Sequence, residues 1–466
     1  MASVPDAPMI AETRGIGSPD NRNQAAPTWR KRMTRTPVGF ALSMMNRIAA
    51  NPMLDRLGLR HSLERTAYHG TRTGFRTLAY AGREFKRVKN WLPRKQLPNH
   101  IPGSLFDLSL TDDQQMITDM LRRLAEDRIR PAASEADESG EIPETVTTAT
   151  SELGLGLYAV PEAFGGVAEH QSPVTSVLIA EQLASGDMGI ATALLSSFSV
   201  AQAITRWGTG EQQSRYLPAF CDDAPPIATI AIDEPVPLFD PTRLQTAAGE
   251  TATGYTLNGL KSSVVLGASA ELLLIAAELH GRPRLFIVEA GTPGIQAKPD
   301  PGMGLRASAP VQLRLDNVKL SSNALLGDDD FDYQAFLDCG SLLRCGLAIG
   351  TSQAVLDYVI AYCNEREAFG EPISHRQSVA FMISNLAVET DSMRMLTWRA
   401  ASRLEQGLPA HRETSLARLL CNEKAMEIGT NGVQLLGGHG FVKEHPVERW
   451  YRDLRSVATQ HGGLHA

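Results

Sequence analysis

The chain has 466 residues, 43% of them hydrophobic and 21% charged, with a formal net charge of −7. This balance suits two to four packed units and argues against a disordered chain. No uninterrupted apolar run approaches the roughly 20 residues of a membrane-spanning helix, and Asp6, Glu12 and Asp20 argue against a targeting peptide at the N-terminus.

Residues 27–98 carry sixteen Lys and Arg against Asp55, Glu64 and Glu84, so this arm is +13 and the remainder −20. A basic arm on an acidic body suggests docking to that body, to an anionic membrane surface or to nucleic acid. Within it Phe40, Ala41, Met44, Met45 and Ile48 recur at helical spacing behind "TWRKRMTR", which predicts an amphipathic helix. Packing on the main body is the first reading and peripheral membrane attachment the second. Nucleic-acid binding is third, because aromatic and basic residues do not alternate.

After Pro102 the texture is helical. "SLTDDQQMITDMLRRL" opens with a cap-like Thr111 and has Met116, Met120, Leu121 and Leu124 on one face, and Pro131 is expected to end that helix. "ELGLGLYAVPEAFGG" reads as a connection, and helices follow around Ser176–Ala184 and Met188–Trp207. From Ile227 the period turns towards two. "IATIAI", "GYTLNG", "LLLIAAEL", "RLFIVEA" and "VQLRLDNVKL" predict short strands separated by turn residues. Long helices then return over Phe336–Glu365, Gln377–Glu405 and Glu413–Leu436. The fold class is α+β, divided into a basic extension (1–104), a helical domain (105–226), a β domain (227–322) and a second helical domain (323–466). Cys221, Cys339, Cys345, Cys363 and Cys421 lack CxxC spacing, as expected of reduced thiols in a cytoplasmic protein.

From about Leu105 onward the sequence resembles the acyl-CoA dehydrogenases. The resemblance rests on "LGLGLYAVPEAFGG", "GTGEQQSRYLP", "DEP", "NGLK", "GLRASAPVQLRLDNVKL", "REAFGEPISHRQ" and "QLLGGHGFVKEHPVERWYRD", in that order. It implies an N-terminal helical domain, a middle β domain and a C-terminal four-helix domain, assembled as dimers or tetramers around FAD. It implies an acyl-CoA substrate losing an α-proton to a base and a β-hydride to the flavin, and an electron-transfer flavoprotein as acceptor. It also implies that Arg366, Phe369 and Gln377 meet the dinucleotide end of FAD, commonly from the neighbouring subunit. Gln434, Gly437, Gly438 and Gly440 belong to the same end, although "GGHG" by itself reads as a helix-ending turn.

The flavin end departs from the family. Where relatives have a TEPxxGSD-like loop this chain has "DEPVPLFD", so Asp233 stands in place of a flavin-bonding threonine. Ser263 and Val265 replace the usual aromatic and threonine after Lys261. His461 falls where many relatives have the catalytic glutamate, and Gly340 where others have it. A neutral imidazole can serve as base, which makes His461 the catalytic candidate. A catalytically silent homologue acting as partner subunit of a hetero-oligomer is the alternative, and a flavoprotein binding membrane or nucleic acid through its basic arm is a third reading. No metal site is expected.

Overall fold

The computed structural model describes residues 109–461 except 169, 170, 223, 329 and 330, all within the unit that begins at Gly103. The basic arm and its amphipathic helix lie outside the described residues.

The first helical layer comprises α1 (Asp112–Leu124), α2 (Arg130–Ser139), α3 (Glu144–Glu152), α4 (Pro173–Gly186), α5 (Met188–Trp207) and α6 (Gly210–Tyr216). Thr111 and Gln114 form a reciprocal capping box at the start of α1. Pro131 does not end the helical path as expected from the sequence. One π-turn over Ala125–Ile129 follows α1, and Pro131 sits in the first turn of α2, where its missing N–H costs least. By length and composition α5 could cross a membrane, but most of its apolar window is buried in this layer.

The middle layer is a seven-stranded sheet of β1 (Ala228–Ala231), β2 (Ala247–Thr251), β3 (Gly254–Val264), β4 (Leu272–Leu279), β5 (Arg282–Glu289), β6 (Ile295–Pro299) and β7 (Val311–Ser321). Its order is β1-β4-β2-β3-β7-β6, with β5 also on β4. β1 lies parallel to β4, and the long β3–β7 pair is antiparallel. Leu257, Leu313, Leu315 and Val318 of that pair belong to the sheet's own core.

The last layer holds α7 (Tyr333–Glu365), α8 (Gln377–Glu405), α9 (His411–Leu436) and α10 (Val447–Val457). Between α7 and α8 a small hairpin pairs β8 (Glu367–Ala368) with β9 (Glu371–Pro372). A continuous core links α4, α5, α7, α9 and α10 to the sheet. α7 approaches α4 so closely that a Cβ on Gly350 would stand 2.1 Å from the Glu181 carbonyl oxygen. Gly350→Ala is therefore expected to push the two helices apart and cost about 1–3 kcal/mol, read as a lower thermal midpoint.

α10 is pinned from three sides. Arg449 Nε donates to Asp187 Oδ2 at 2.9 Å, and both side chains are buried. Arg452 makes a forked pair with Asp137 at 2.9 and 2.7 Å and a second pair with Glu448. The Leu305 N–H donates to Asp453 Oδ1 at 2.6 Å, tying α10 to the loop before β7. This fixes the direction in which the chain leaves α10, and so the place of His461.

Candidate active site

Asp233 follows β1, and its neighbours are clamped on both sides. Buried Lys261 of β3 donates from Nζ to the Ile232 carbonyl at 3.0 Å and to Glu234 Oε1 at 2.8 Å. Glu234 also accepts from the backbone N–H groups of Gln245 and Thr246 at 2.7 and 2.9 Å. The Ser262 N–H donates to the Asp233 carbonyl at 2.9 Å. With its backbone held in this way, the Asp233 carboxylate takes a different partner.

That partner is His461. Asp233 Oδ1 accepts from the His461 backbone N–H at 2.9 Å and lies 2.8 Å from His461 Nδ1. His461 has φ +47°, a left-handed conformation that non-glycine residues seldom adopt, and the double contact holds it there. Burial opposes charge on Asp233, but His461 and Arg344 outweigh it and leave the carboxyl below its usual range. Burial and then the positive field of Arg344 push His461 down, against the pull of Asp233. At neutral pH the pair is a carboxylate and a neutral imidazole. Nδ1–H faces the carboxylate, and Nε2 is left as the acceptor nitrogen.

Asp233 and His461 line a cavity of about 180 Å³ whose other walls include Leu195, Ile230, Leu337, Leu343, Leu347, Ser263 and Val265. Gly340 and Arg344 of α7 line it too. A second cavity of about 320 Å³, shared by Arg344, Arg418 and His461, opens toward Asp240 and His411. Asp240 is engaged by its own turn, accepting from Thr242 N and Oγ1 at 2.9 and 2.7 Å. In the preceding loop Leu238 has φ +53° and is largely exposed.

The GGHG region builds a separate site. Arg366, Gln434, Gly437 and Gly438 line a cavity of about 310 Å³ together with Tyr362, Ile373 and His439. Tyr362 Oη lies 2.8 Å from His439 Nδ1, and His439 stacks on His445. Gly440 lies beneath this turn, where a Cβ would stand 2.4 Å from the Val433 carbonyl oxygen. Phe369 and Gln377 lie on the neighbouring segment and do not line this cavity. Phe369 is 95% exposed, with the Arg376 guanidinium over its ring.

Two family models match the chain. "Acyl-CoA dehydrogenase, N-terminal domain" covers residues 111–224, and "Acyl-CoA dehydrogenase, C-terminal domain" covers 333–463. Cyclohex-1-ene-1-carbonyl-CoA dehydrogenase of Geobacter metallireducens is 30% identical over 356 residues, 74% of this chain and 93% of that protein. The chain belongs to the acyl-CoA dehydrogenase family. The structure of butyryl-CoA dehydrogenase from Megasphaera elsdenii is similar at TM-score 0.71 and 27% identity, covering 77% of this chain and 97% of that one. A glutaryl-coenzyme A dehydrogenase–glutaryl-CoA complex is similar at TM-score 0.72 and 26% identity, covering 77% and 94%. The protein is thus a flavoprotein oxidoreductase of the acyl-CoA dehydrogenase type, with the helical, β and helical domain order of that family.

Its residues fit the dinucleotide end of FAD. The exposed Arg366 guanidinium makes no ion pair among the described residues, so it can meet a pyrophosphate. At Gly437 and Gly438 an added Cβ would meet nothing within 4 Å, which leaves the backbone open to a ligand. At the ring end the side chains are those of Asp233, Ser263 and Val265, and the Asp233 carboxylate is already committed to His461. Two features of the site were not read from the sequence: the Asp233–His461 contact and the place of Arg344. A lone arginine in the otherwise apolar run "SLLRCGLAIG" was the available signal for the second.

Proposed function

We propose that this acyl-CoA dehydrogenase removes the α-proton of its thioester with His461, and that Asp233 positions that base. The carrying observation is the double contact of Asp233 Oδ1 with His461 N and Nδ1. It holds the imidazole in one orientation and selects the tautomer whose Nε2 can accept a proton. The apolar wall of Leu195, Leu343 and Leu347 suits an acyl chain. When bound, FAD supplies the acceptor for the β-hydride. As His461 takes the α-proton it becomes cationic, and the adjacent Asp233 carboxylate stabilises that charge.

The same reading assigns Arg366, Gln434, Gly437, Gly438 and Gly440 to the dinucleotide. It places Phe369 and Gln377 at the FAD of a neighbouring copy, which the exposure of Phe369 supports. Exposed Phe381 and Val388 on α8 and Leu416 and Leu419 on α9 support a homo- or hetero-oligomer. An electron-transfer flavoprotein is the proposed acceptor. Peripheral membrane contact through residues 27–98 and the domain limits 104, 226 and 322 remain part of this proposal. Arg366→Met should weaken FAD retention by about 10- to 100-fold through loss of charge-assisted bonds, measured as flavin absorbance left after gel filtration.

The deciding test is the anaerobic visible spectrum of the full chain during titration with acyl-CoAs. Bleaching of the flavin band by a thioester, lost in His461→Gln, is the expected result. A flavin-loaded protein that bleaches equally well without His461 would overturn the assignment. A chain that never retains flavin would move the role to that of a silent partner subunit.

A further inference from the structure

Arg344 lies at the centre of this site, on the wall of both cavities around His461. It projects from α7 one turn after Gly340, and the place of a Cβ on Gly340 lies 3.5 Å from Arg344 Nη1. The guanidinium therefore lies beside the Gly340 position, where some relatives are expected to carry a glutamate, and brings a positive charge next to it. Burial lowers its pKa to about 10, which leaves it fully charged at neutral pH. Yet among the described residues its only side-chain hydrogen bond is donated from Nη2 to Ser341 Oγ at 3.1 Å, and among them it has no ion pair within 4 Å.

A guanidinium has five N–H donors, and half-buried Arg344 uses few of them within the protein, so donors are left for a ligand in the cavities it lines. The nearby carboxylates are already engaged. Asp233 is held by His461, Asp338 by His411 Nδ1 at 3.0 and 3.1 Å, and Asp240 by Thr242. Arg344 lines both the acyl cavity and the neighbouring cavity with Arg418, so an anion entering either one reaches it.

We infer that Arg344 selects acyl-CoA substrates whose acyl group carries its own carboxylate, that is, monothioesters of dicarboxylic acids. This rests on the assignment of the cavity to the acyl group. The phosphates of CoA are the other source of anionic oxygen. They are separated from the thioester by the whole pantetheine arm, whereas Arg344 shares the cavity of His461. Planar, bidentate pairing with a carboxylate is what a guanidinium does best.

The test is equilibrium titration of the FAD-loaded full chain with three probes. These are CoA monothioesters of dicarboxylic acids with four to six carbons, straight-chain acyl-CoAs of equal length, and free CoA. A preference of about 10-fold or more for the dicarboxylic thioesters is expected, falling below about twofold in Arg344→Gln. Arg344→Lys, which keeps a cation without the fork, should retain part of the preference and guards against misfolding as the explanation. Equal binding of the two thioester classes, or a preference that survives Arg344→Gln, would overturn the inference and leave the acyl-CoA site standing. If free CoA loses as much affinity as the thioesters, the guanidinium serves the phosphates and the inference fails. If no thioester binds more tightly than free CoA, the acyl assignment of the cavity fails and this inference fails with it.

Discussion

His461→Gln is expected to slow flavin reduction by acyl-CoA by about 100- to 10,000-fold, the usual contribution of a positioned general base. Its retention of FAD should match that of the unaltered protein, because the Arg366 cavity lies elsewhere. The pH profile carries the sign of the mechanism. The base works when neutral, and burial together with Arg344 lowers its pKa below 6.5. The rate should therefore be flat at neutral pH and fall only as acid is added below that value. In Asp233→Asn the attraction of the carboxylate disappears, so the acid limb should move to still lower pH while the plateau drops through lost orientation. A merely structural Asp233 would lower the plateau without moving the limb. Stopped-flow reduction across pH 5–9 separates the two.

Arg449→Met is expected to destabilise the protein by about 3–5 kcal/mol, because it leaves Asp187 buried without its partner. Denaturant unfolding measures this directly. The double variant Arg449→Met, Asp187→Leu should recover much of the loss, since removing both charges is far cheaper than removing one. The same cluster shapes the pH dependence of stability. Burial, and then the neighbouring Asp187, raise the Asp453 carboxyl, and burial likewise raises Asp187. A carboxyl raised in the folded state holds its proton after the unfolded chain has released it. Its stabilising contribution is therefore complete below the ordinary Asp range and fades as pH rises through the folded-state value. Arg449→Met deepens this trend by removing the cation that favours ionised Asp187. The variant should lose more stability at pH 8 than at pH 5.

Much of the fold was legible along the chain because its signals are local. The β3 and β7 segments carry β-rich alternation, and α8 spans Gln377–Glu405 as its periodicity predicts. Elements without a local signal were missed. The five-residue strands β2 and β6 are mostly exposed, with no apolar alternation, and they exist because β3 and β7 offer edges to pair with. Pro131 was misplaced because a π-turn depends on what packs around it: Ile129 and Ala125 are both wholly buried.

The site divides in the same way. By itself the sequence determined the family, the order of its domains and the absence of glutamate at positions 461 and 340, since each is a matter of residue type at a motif position. Only the tertiary structure decided what His461 is paired with. Asp233 and His461 are 228 residues apart in the chain, and they meet because Lys261 fixes the backbone around one while Arg449 and Arg452 fix the helix leading to the other. The charge beside them was decided there too. Arg344 is one residue of an apolar helix in the sequence, and its guanidinium comes to share a cavity with His461 only when α7 packs against α4 and the sheet. A pairing between distant groups has no periodicity to announce it, and its energy comes from burial that exists only in the folded chain.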